Sequence, residues 1–502
     1  MCYHKQMSTY LPFLFLCIGV VTSIYSFFTG GIFFHTDIAR DFLLFDDIVT
    51  KGHLALIGPR SGGISGVFHG PVWLYLNIPA FILGNGNPWI VGIFWLLLVL
   101  ISMCVVWRIG YSLFGAQTAL WAVSLYSLYT ITYTRNLFNP FGAVLLFAPF
   151  FYCIYEYLRT SRGIFLGISV FLLGMIIQFQ IAFGAPILIL SLVLIFHRII
   201  RTKQYIHLFY IVLLLIPLST YAVFELRHDF LQVRSVLAYI RTPHNNSEIL
   251  WYSFPLMRAK NIFESIQLFP YWWANVVTVC VGYLLLRNKK ITRGKNIFLL
   301  FLYFFAGYWL LTLLYKGTIW QYYYWPFFPV LIILAVELLR YVSKFQKIIF
   351  YSLLCIGTCF IQFRLLQGAR MQTDASSWIF QEKVANTVFK DAPDEFGYYV
   401  FTPDLFGYSP RYALMYVNRL YPQKRAFAFE KKHITYLVVA PPPSDRLFLD
   451  GVWWKNNQVK INKKPAKIFS YKNGFRVEKY ILTQKEQSIA SDPNIIQSLI
   501  FR

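Results

Sequence analysis

The sequence predicts an all-α polytopic membrane protein of about eleven transmembrane helices, carrying a small C-terminal α/β domain on the outer side. Three observations lead there. Apolar residues make up 57% of the chain and charged residues 14%, against about 45–50% and about 25% in an ordinary soluble domain. The apolar excess lies in blocks approaching the roughly 20 residues a spanning helix needs. The chain turns polar after Gln367, where those blocks stop.

The blocks run near Leu11–Phe33, Pro88–Trp107, Gln117–Tyr133, Phe138–Tyr157, Ile164–Ala182, Pro186–Phe196, His207–Phe224, Ile266–Leu286, Ile297–Tyr315, Trp320–Leu339 and Ile348–Phe363. Pro186–Phe196 is short and reads as a broken or re-entrant helix. Val72–Leu83 is too short to span and reads as an interfacial or half-inserted helix feeding the second span. The first block lacks a small-residue cleavage site before the acidic loop, so a retained signal anchor is expected.

Loop charge orients the set. One side collects Arg108, Arg159, Arg162, Arg198, Arg201, Lys203, the run Arg287–Lys295, Arg340, Lys344 and Lys347 with few acids. The other carries loops that mix acids and bases. This positive-inside asymmetry puts the N-terminus inside and, after an odd number of spans, the C-terminal region outside a cytoplasmic (inner) membrane. The net charge of +24 is therefore explained by loops meeting anionic headgroups, and no nucleic acid is expected as a partner.

The expected division is a membrane module over 1–366, with an outer first loop over 34–71, and an outer α/β domain over 367–502. In the latter, Tyr398–Thr402, Tyr436–Ala440 and Lys467–Tyr471 read as strands and Ser376–Val388 as a helix. Its sequence holds no cysteine, which excludes a disulfide framework or a cysteine zinc site there.

The first outer loop is the most informative stretch. Ile38, Phe42, Phe45 and Val49 recur at helical spacing, giving the apolar stripe of a surface-lying helix. Asp37 and Asp41 are four apart and share another face, where like charges repel. A cation between them would relieve this, Arg40 or a divalent metal, which is left open as a cofactor. The plain alternative is a solvated helix start favoured by the dipole. Downstream, Gly58–Gly66 contains Arg60, suited to gripping a phosphate, and leads to His69-Gly70-Pro71; a mobile connector explains the glycines equally well. Three more polar spots flank apolar blocks: Arg135-Asn136, Glu225–Asp229 with Arg227, and Lys316 followed by Gln321-Tyr322-Tyr323-Tyr324. Charges so near a bilayer are costly and often functional, although snorkelling accounts for Lys316.

Taken in order, these pieces resemble the GT-C superfamily of polyprenyl-phosphate-sugar-dependent glycosyltransferases, and more narrowly the glycosyltransferase family 39 type, related to protein O-mannosyltransferases and lipid A aminoarabinose transferases. The matching strings are Thr36-Asp37-Ile38-Ala39-Arg40-Asp41, His69-Gly70-Pro71-Val72-Trp73-Leu74-Tyr75, Tyr322-Tyr323-Tyr324-Trp325-Pro326 and Phe401-Thr402-Pro403-Asp404-Leu405-Phe406-Gly407-Tyr408. The mannosyltransferases usually carry an Asp-Glu pair where Asp37-Ile38 stands here, so mannose and protein substrates are not carried over. The resemblance implies an inverting enzyme with Asp37 as general base and Asp41 beside it. Substrate contacts are expected from Arg40, Arg60, His69, Arg135, Arg227, Lys316, Gln321 and Tyr324, and no metal ligands are assigned. The implied partners are a polyprenyl-phosphate sugar donor, an acceptor glycan, lipid or protein, and the bilayer. A transporter or lipid flippase, and a glycan ligase or polymerase, are the competing classes.

Overall fold

The computed structural model describes residues 2–61, 63–241, 253–265, 292–315, 317, 319–341, 343, 345, 357, 360, 362–364, 366–368 and 375–495. Among them, six helical spans are long and apolar enough to cross a membrane: Tyr10–Gly30, Pro88–Phe114, Pro140–Thr160, Ile181–Thr202, Tyr205–Arg227 and Gly294–Thr312. The chain is thus a multi-pass membrane protein with mostly helical structure. The expected span Ile266–Leu286 lies outside the described residues, and Ile348–Phe363 lies mostly outside them.

The helices are α1 (Cys2–Gly30), α2 (Thr36–Lys51), α3 (Val72–Leu83), α4 (Pro88–Phe114), α5 (Ala116–Thr134), α6 (Pro140–Thr160), α7 (Gly163–Phe179), α8 (Ile181–Thr202), α9 (Leu208–Ile211), α10 (Leu215–Arg227), α11 (Leu231–Arg241), α12 (Ser253–Ser265), α13 (Thr292–Thr312) and α14 (Phe328–Leu339). The short helix over Val72–Leu83 ends where expected. The expected break at Pro186 does not occur; α8 runs through it. A proline at 186 removes the N–H that would bond the carbonyl of residue 182. The Tyr308 hydroxyl from α13 reaches that carbonyl at 3.4 Å, so the freed acceptor stays paired inside the bundle. The interruption falls instead at Gln180, whose backbone (φ −148°, ψ 88°) separates α7 from α8.

Small residues bring the helices together, as expected where lipid supplies no hydrophobic drive between them. Gly19 of α1 lies against Ser127 of α5, and the Ser127 hydroxyl donates to the Phe15 carbonyl. At one end of the bundle Thr118 donates to Glu337 at 2.7 Å, Arg340 pairs with Glu337 and Arg159 with Glu156, and Arg198 donates to Ser161. Arg159, Arg198 and Arg340 belong to the basic loops. The helix directions place the His35, Asn136, Gln178 and Tyr322 ends at the opposite side.

After the bundle come α15 (Trp378–Asp391), α16 (Tyr408–Leu420) and α17 (Gln484–Ser488). They accompany a five-stranded sheet of order β2-β1-β3-β5-β4: β1 (Glu395–Phe401), β2 (Arg425–Ala428), β3 (Ile434–Val439), β4 (Lys467–Ser470) and β5 (Arg476–Ile481). β1 pairs parallel with β2 and β3, while β5 runs antiparallel to β3 and β4. Ser377 caps α15 by accepting from the Phe380 amide. The sheet unit and the bundle share one buried apolar layer. Phe34 meets Trp378 ring to ring at 4.9 Å, and Phe42 meets Tyr412 at 5.2 Å. The Trp378 amide donates to the Ile32 carbonyl and the Tyr412 hydroxyl to the Gly86 carbonyl, while Arg419 of α16 pairs with Asp46 of α2.

Candidate active site

Helix α2 begins at Thr36 because His35 caps it: the Asp37 amide donates to His35 Nδ1 at 3.3 Å. That bond requires a lone pair on Nδ1, so the ring proton sits on Nε2 and is donated to Asn136 Oδ1 at 2.7 Å. Burial lowers the His35 pKa, against the pull of Asp37, and keeps the ring in this neutral, capping form.

One turn on, Arg40 lies between the two aspartates. It bonds Asp37 Oδ1 at 2.7 Å and Asp41 Oδ1 at 3.0 Å. The cation expected between the acids is therefore the helix's own arginine. Among the described residues, no group of three or more His, Cys, Asp and Glu side chains is gathered as for a metal ion. The two carboxylates differ sharply in access. The Asp37 side chain is 42% exposed and that of Asp41 3%. Asp41 also accepts from Trp73 Nε1 at 3.1 Å. Burial pushes its pKa up to about 6, with Arg40 opposing and Asp37 adding to the rise. Asp37 is thus the carboxylate a reactant can reach, and Asp41 supports Arg40 from beneath.

The wall above α2 comes from the far end of the chain. Thr36 donates to Asp404 Oδ2 at 2.7 Å, and Ser409 donates to the Phe34 carbonyl at 2.8 Å. Gly407, at φ 61°, turns the chain from that loop into α16, a left-handed conformation few other residues adopt cheaply. This brings the Tyr408 phenol to Arg40. Burial pushes the Tyr408 pKa up, while Arg40, Arg411 and, more weakly, Arg60 draw it down. On the other flank, His35 meets Phe138 edge to face at 5.8 Å, and Phe138 meets Tyr322 at 5.2 Å.

The remaining expected residues separate into groups. Arg60 is exposed on the loop above α3, its backbone bridged to Phe68. His69 is buried, its pKa lowered to about 3 by burial, and feels the charges of both Arg40 and Asp37. Arg135 directs its guanidinium to the Gly31 and Gly30 carbonyls at 2.6 and 2.7 Å, fastening the end of α1. Tyr324 is buried against Tyr308. Gln321 is exposed one turn before it, and Arg227 is exposed at the end of α10; neither is joined to Asp37 by a contact among the described residues. Lys316 lies outside the described residues. Arg258 was not singled out by the sequence; it is buried and donates to the carbonyls on either side of position 316, those of Tyr315 and Gly317. His35, Asn136, Asp404 and Tyr408 also went unassigned, because their roles depend on partners about 100 residues or more away.

No family model matches the chain, and no curated protein matches it in sequence. Solved structures do match. ArnT from Cupriavidus metallidurans bound to undecaprenyl phosphate superposes with a TM-score of 0.57 at 12% identity, over 94% of this chain and 98% of that one. The chain has the ArnT fold. The apo form of the same ArnT gives 0.55 at 11% identity over the same shares. The oligosaccharyltransferase of Archaeoglobus fulgidus in its apo form gives 0.46 at 12% identity, over 82% of this chain and 64% of that one. At 94% coverage of this chain, the ArnT likeness extends through the sheet as well as the bundle.

Proposed function

We propose that this chain is a membrane glycosyltransferase that moves a sugar from a polyprenyl-phosphate carrier to an acceptor hydroxyl on the outer face of the cytoplasmic membrane. One observation carries the reading: the half-exposed Asp37 carboxylate, oriented by Arg40, lies at the non-basic end of a bundle with the ArnT fold. In this reading residues 1–366 form the catalytic module and 367–502 an extracytoplasmic domain. The bound undecaprenyl phosphate of the ArnT structure supports a lipid-phosphate donor.

The chemistry follows from the carboxylate's access. Asp37 takes the proton of the acceptor hydroxyl as its oxygen bonds the anomeric carbon. The bond from that carbon to the phosphate oxygen breaks, its electron pair stays on the lipid phosphate, and attack from the opposite face inverts the centre. The leaving group is already a weak base, so it needs charge stabilisation rather than a proton. Arg60, exposed and near Tyr408, suits that task with its planar fork. Arg40 holds Asp37 aimed. His69, Gln321, Tyr324, Arg227 and Lys316 are proposed to serve along the substrate path.

The test is transfer from labelled undecaprenyl-phosphate sugars to a membrane-extract acceptor by the purified protein. Asp37→Asn is expected to cut transfer by about 10²- to 10⁴-fold while binding of undecaprenyl phosphate persists. Full transfer by a folded Asp37→Asn protein, or cysteine labelling that puts Thr50 on the cytoplasmic side, overturns the reading.

A further inference from the structure

The loop that pins the start of α2 also holds an aromatic ring open to solvent. Two separate lines of contact join that ring, Phe406, to the Asp37 turn. Along one, Asp404 Oδ1 accepts from the Phe406 amide while its Oδ2 accepts from Thr36, the residue before Asp37. Along the other, Phe406 stacks on Tyr408, with centroids 5.1 Å and planes 16° apart. Tyr408 in turn feels the charge of Arg40, which bonds Asp37. Phe406 is nevertheless 42% exposed, and its neighbour Leu405 54%. The space beside the reachable carboxylate is therefore bordered by an open ring.

Single exposed apolar side chains are common, so the way this one is held matters. Every amide from Leu405 to Gly407 is spent inside the loop. The Leu405 N–H donates to the Thr402 carbonyl, that of Phe406 to Asp404 Oδ1, and that of Gly407 to the Thr402 hydroxyl. Leu405 sits at φ 63°, a conformation that a branched aliphatic residue avoids unless its surroundings impose it. A fixed turn thus presents Phe406, with the Tyr408 ring behind it.

The surroundings of the ring select the class of acceptor. An acyl chain needs a continuous apolar bed. Here Asp404 is exposed in the same loop, and Arg60, whose charge reaches Tyr408, is exposed as well; covering them with hydrocarbon is costly. An extended peptide binds through main-chain hydrogen bonds, and the amides of 405–407 are already used. A sugar ring needs neither feature. One of its faces is a patch of C–H bonds, suited to the electron-rich face of an aromatic ring, and its hydroxyls both donate and accept, which suits the charged neighbours. We propose that Phe406, backed by Tyr408, is the platform on which a sugar ring of the acceptor stacks while it offers a hydroxyl to Asp37, so that the acceptor is a glycan. This rests on the transferase reading above and adds which acceptor it serves.

The experiment gives the purified full chain a pool of labelled undecaprenyl-phosphate sugars and a cell-envelope extract, and locates the label in the product by mass spectrometry. Attachment to a hydroxyl of another sugar is expected. Phe406→Ala is expected to raise the apparent KM for the acceptor about tenfold, with the donor KM and kcat within about twofold and Tm unchanged. Phe406→Tyr keeps a ring face and is expected to stay close to wild type. Phe406→Leu keeps apolar bulk without a ring and is expected to match the alanine variant; if the alanine variant does not fold, the tyrosine and leucine variants decide. Label on an amino-acid side chain, or on a lipid group other than a sugar, overturns the platform and leaves the transferase reading standing. So does an unchanged acceptor KM in Phe406→Leu, or a loss confined to kcat. A wild type that transfers no label overturns the transferase reading, and the platform with it.

Discussion

The hydroxyl of Thr36 donates to Oδ2 of Asp404, 368 positions later in the chain, at 2.7 Å. Oδ1 of the same carboxylate accepts from Thr402 and from the Phe406 amide. One aspartate thus ties its own loop together and pins the first residue of α2, immediately before Asp37.

This tie sets the aim of the Asp37-bearing turn. A net hydrogen bond contributes about 1 kcal/mol, so Asp404→Ala is expected to lower kcat about fivefold, with KM for the lipid-linked donor within twofold. Asp404→Asn, which keeps an acceptor for Thr36, recovers most of the loss. Steady-state transfer assays check both, and an unchanged kcat in the alanine variant removes Asp404 from any positioning role.

Asp41 makes stability depend on pH. Its folded pKa, about 6, is above the usual carboxylate value, so the folded protein holds this proton to higher pH than the unfolded chain does. The corresponding stability is full below about pH 4 and is lost as pH rises through about 6. Asp41→Asn lacks this proton equilibrium. The Tm of the variant minus that of wild type is therefore expected to move upward by a few degrees between about pH 4 and about pH 7. A difference that stays flat across that window rules out the buried, proton-holding carboxylate.

Arg135 separates a fastening role from a phosphate role. Its two bonds to the carbonyls of Gly31 and Gly30 call for the rigid guanidinium fork. Arg135→Lys is expected to cost on the order of 1–3 kcal/mol, seen as a Tm lower by a few degrees. Binding of undecaprenyl phosphate is expected to be unchanged. A tenfold loss of that binding at unchanged Tm would place Arg135 on the phosphate instead.

The passage of α8 through Pro186 rests on Tyr308. Tyr308→Phe leaves the Ala182 carbonyl unpaired within the bundle, and a Tm lower by a few degrees is expected. Adding Pro186→Ala supplies the missing helix N–H and is expected to restore most of the loss. Additive losses in the double variant would show that the two positions are not coupled.

Much of this molecule was legible from local pattern. Block length located the six long apolar helices, and the short helix over Val72–Leu83 stood out because 12 residues are too few to cross a bilayer. The apolar stripe Ile38, Phe42, Phe45 and Val49 marked α2; the first three are buried, while Val49, in the last turn, is exposed. The strand expected at Tyr398–Thr402 is β1, found at Glu395–Phe401. The α16 helix at Tyr408–Leu420 was missed: it opens on Ser409-Pro410 and carries three tyrosines, so tertiary packing rather than helix propensity holds it.

By itself the sequence determined the class of the protein, the helical stretch that carries Asp37, Arg40 and Asp41, and the gathering of the basic loops at one end of the bundle. These depend on composition and on spacings of one helical turn, which the chain enforces locally. Only the tertiary structure decided which aspartate is reachable, and that Asp404 pins the start of the helix that carries it. Burial and hydrogen bonding between residues hundreds of positions apart follow from how helices and sheet pack, and no local pattern records that packing.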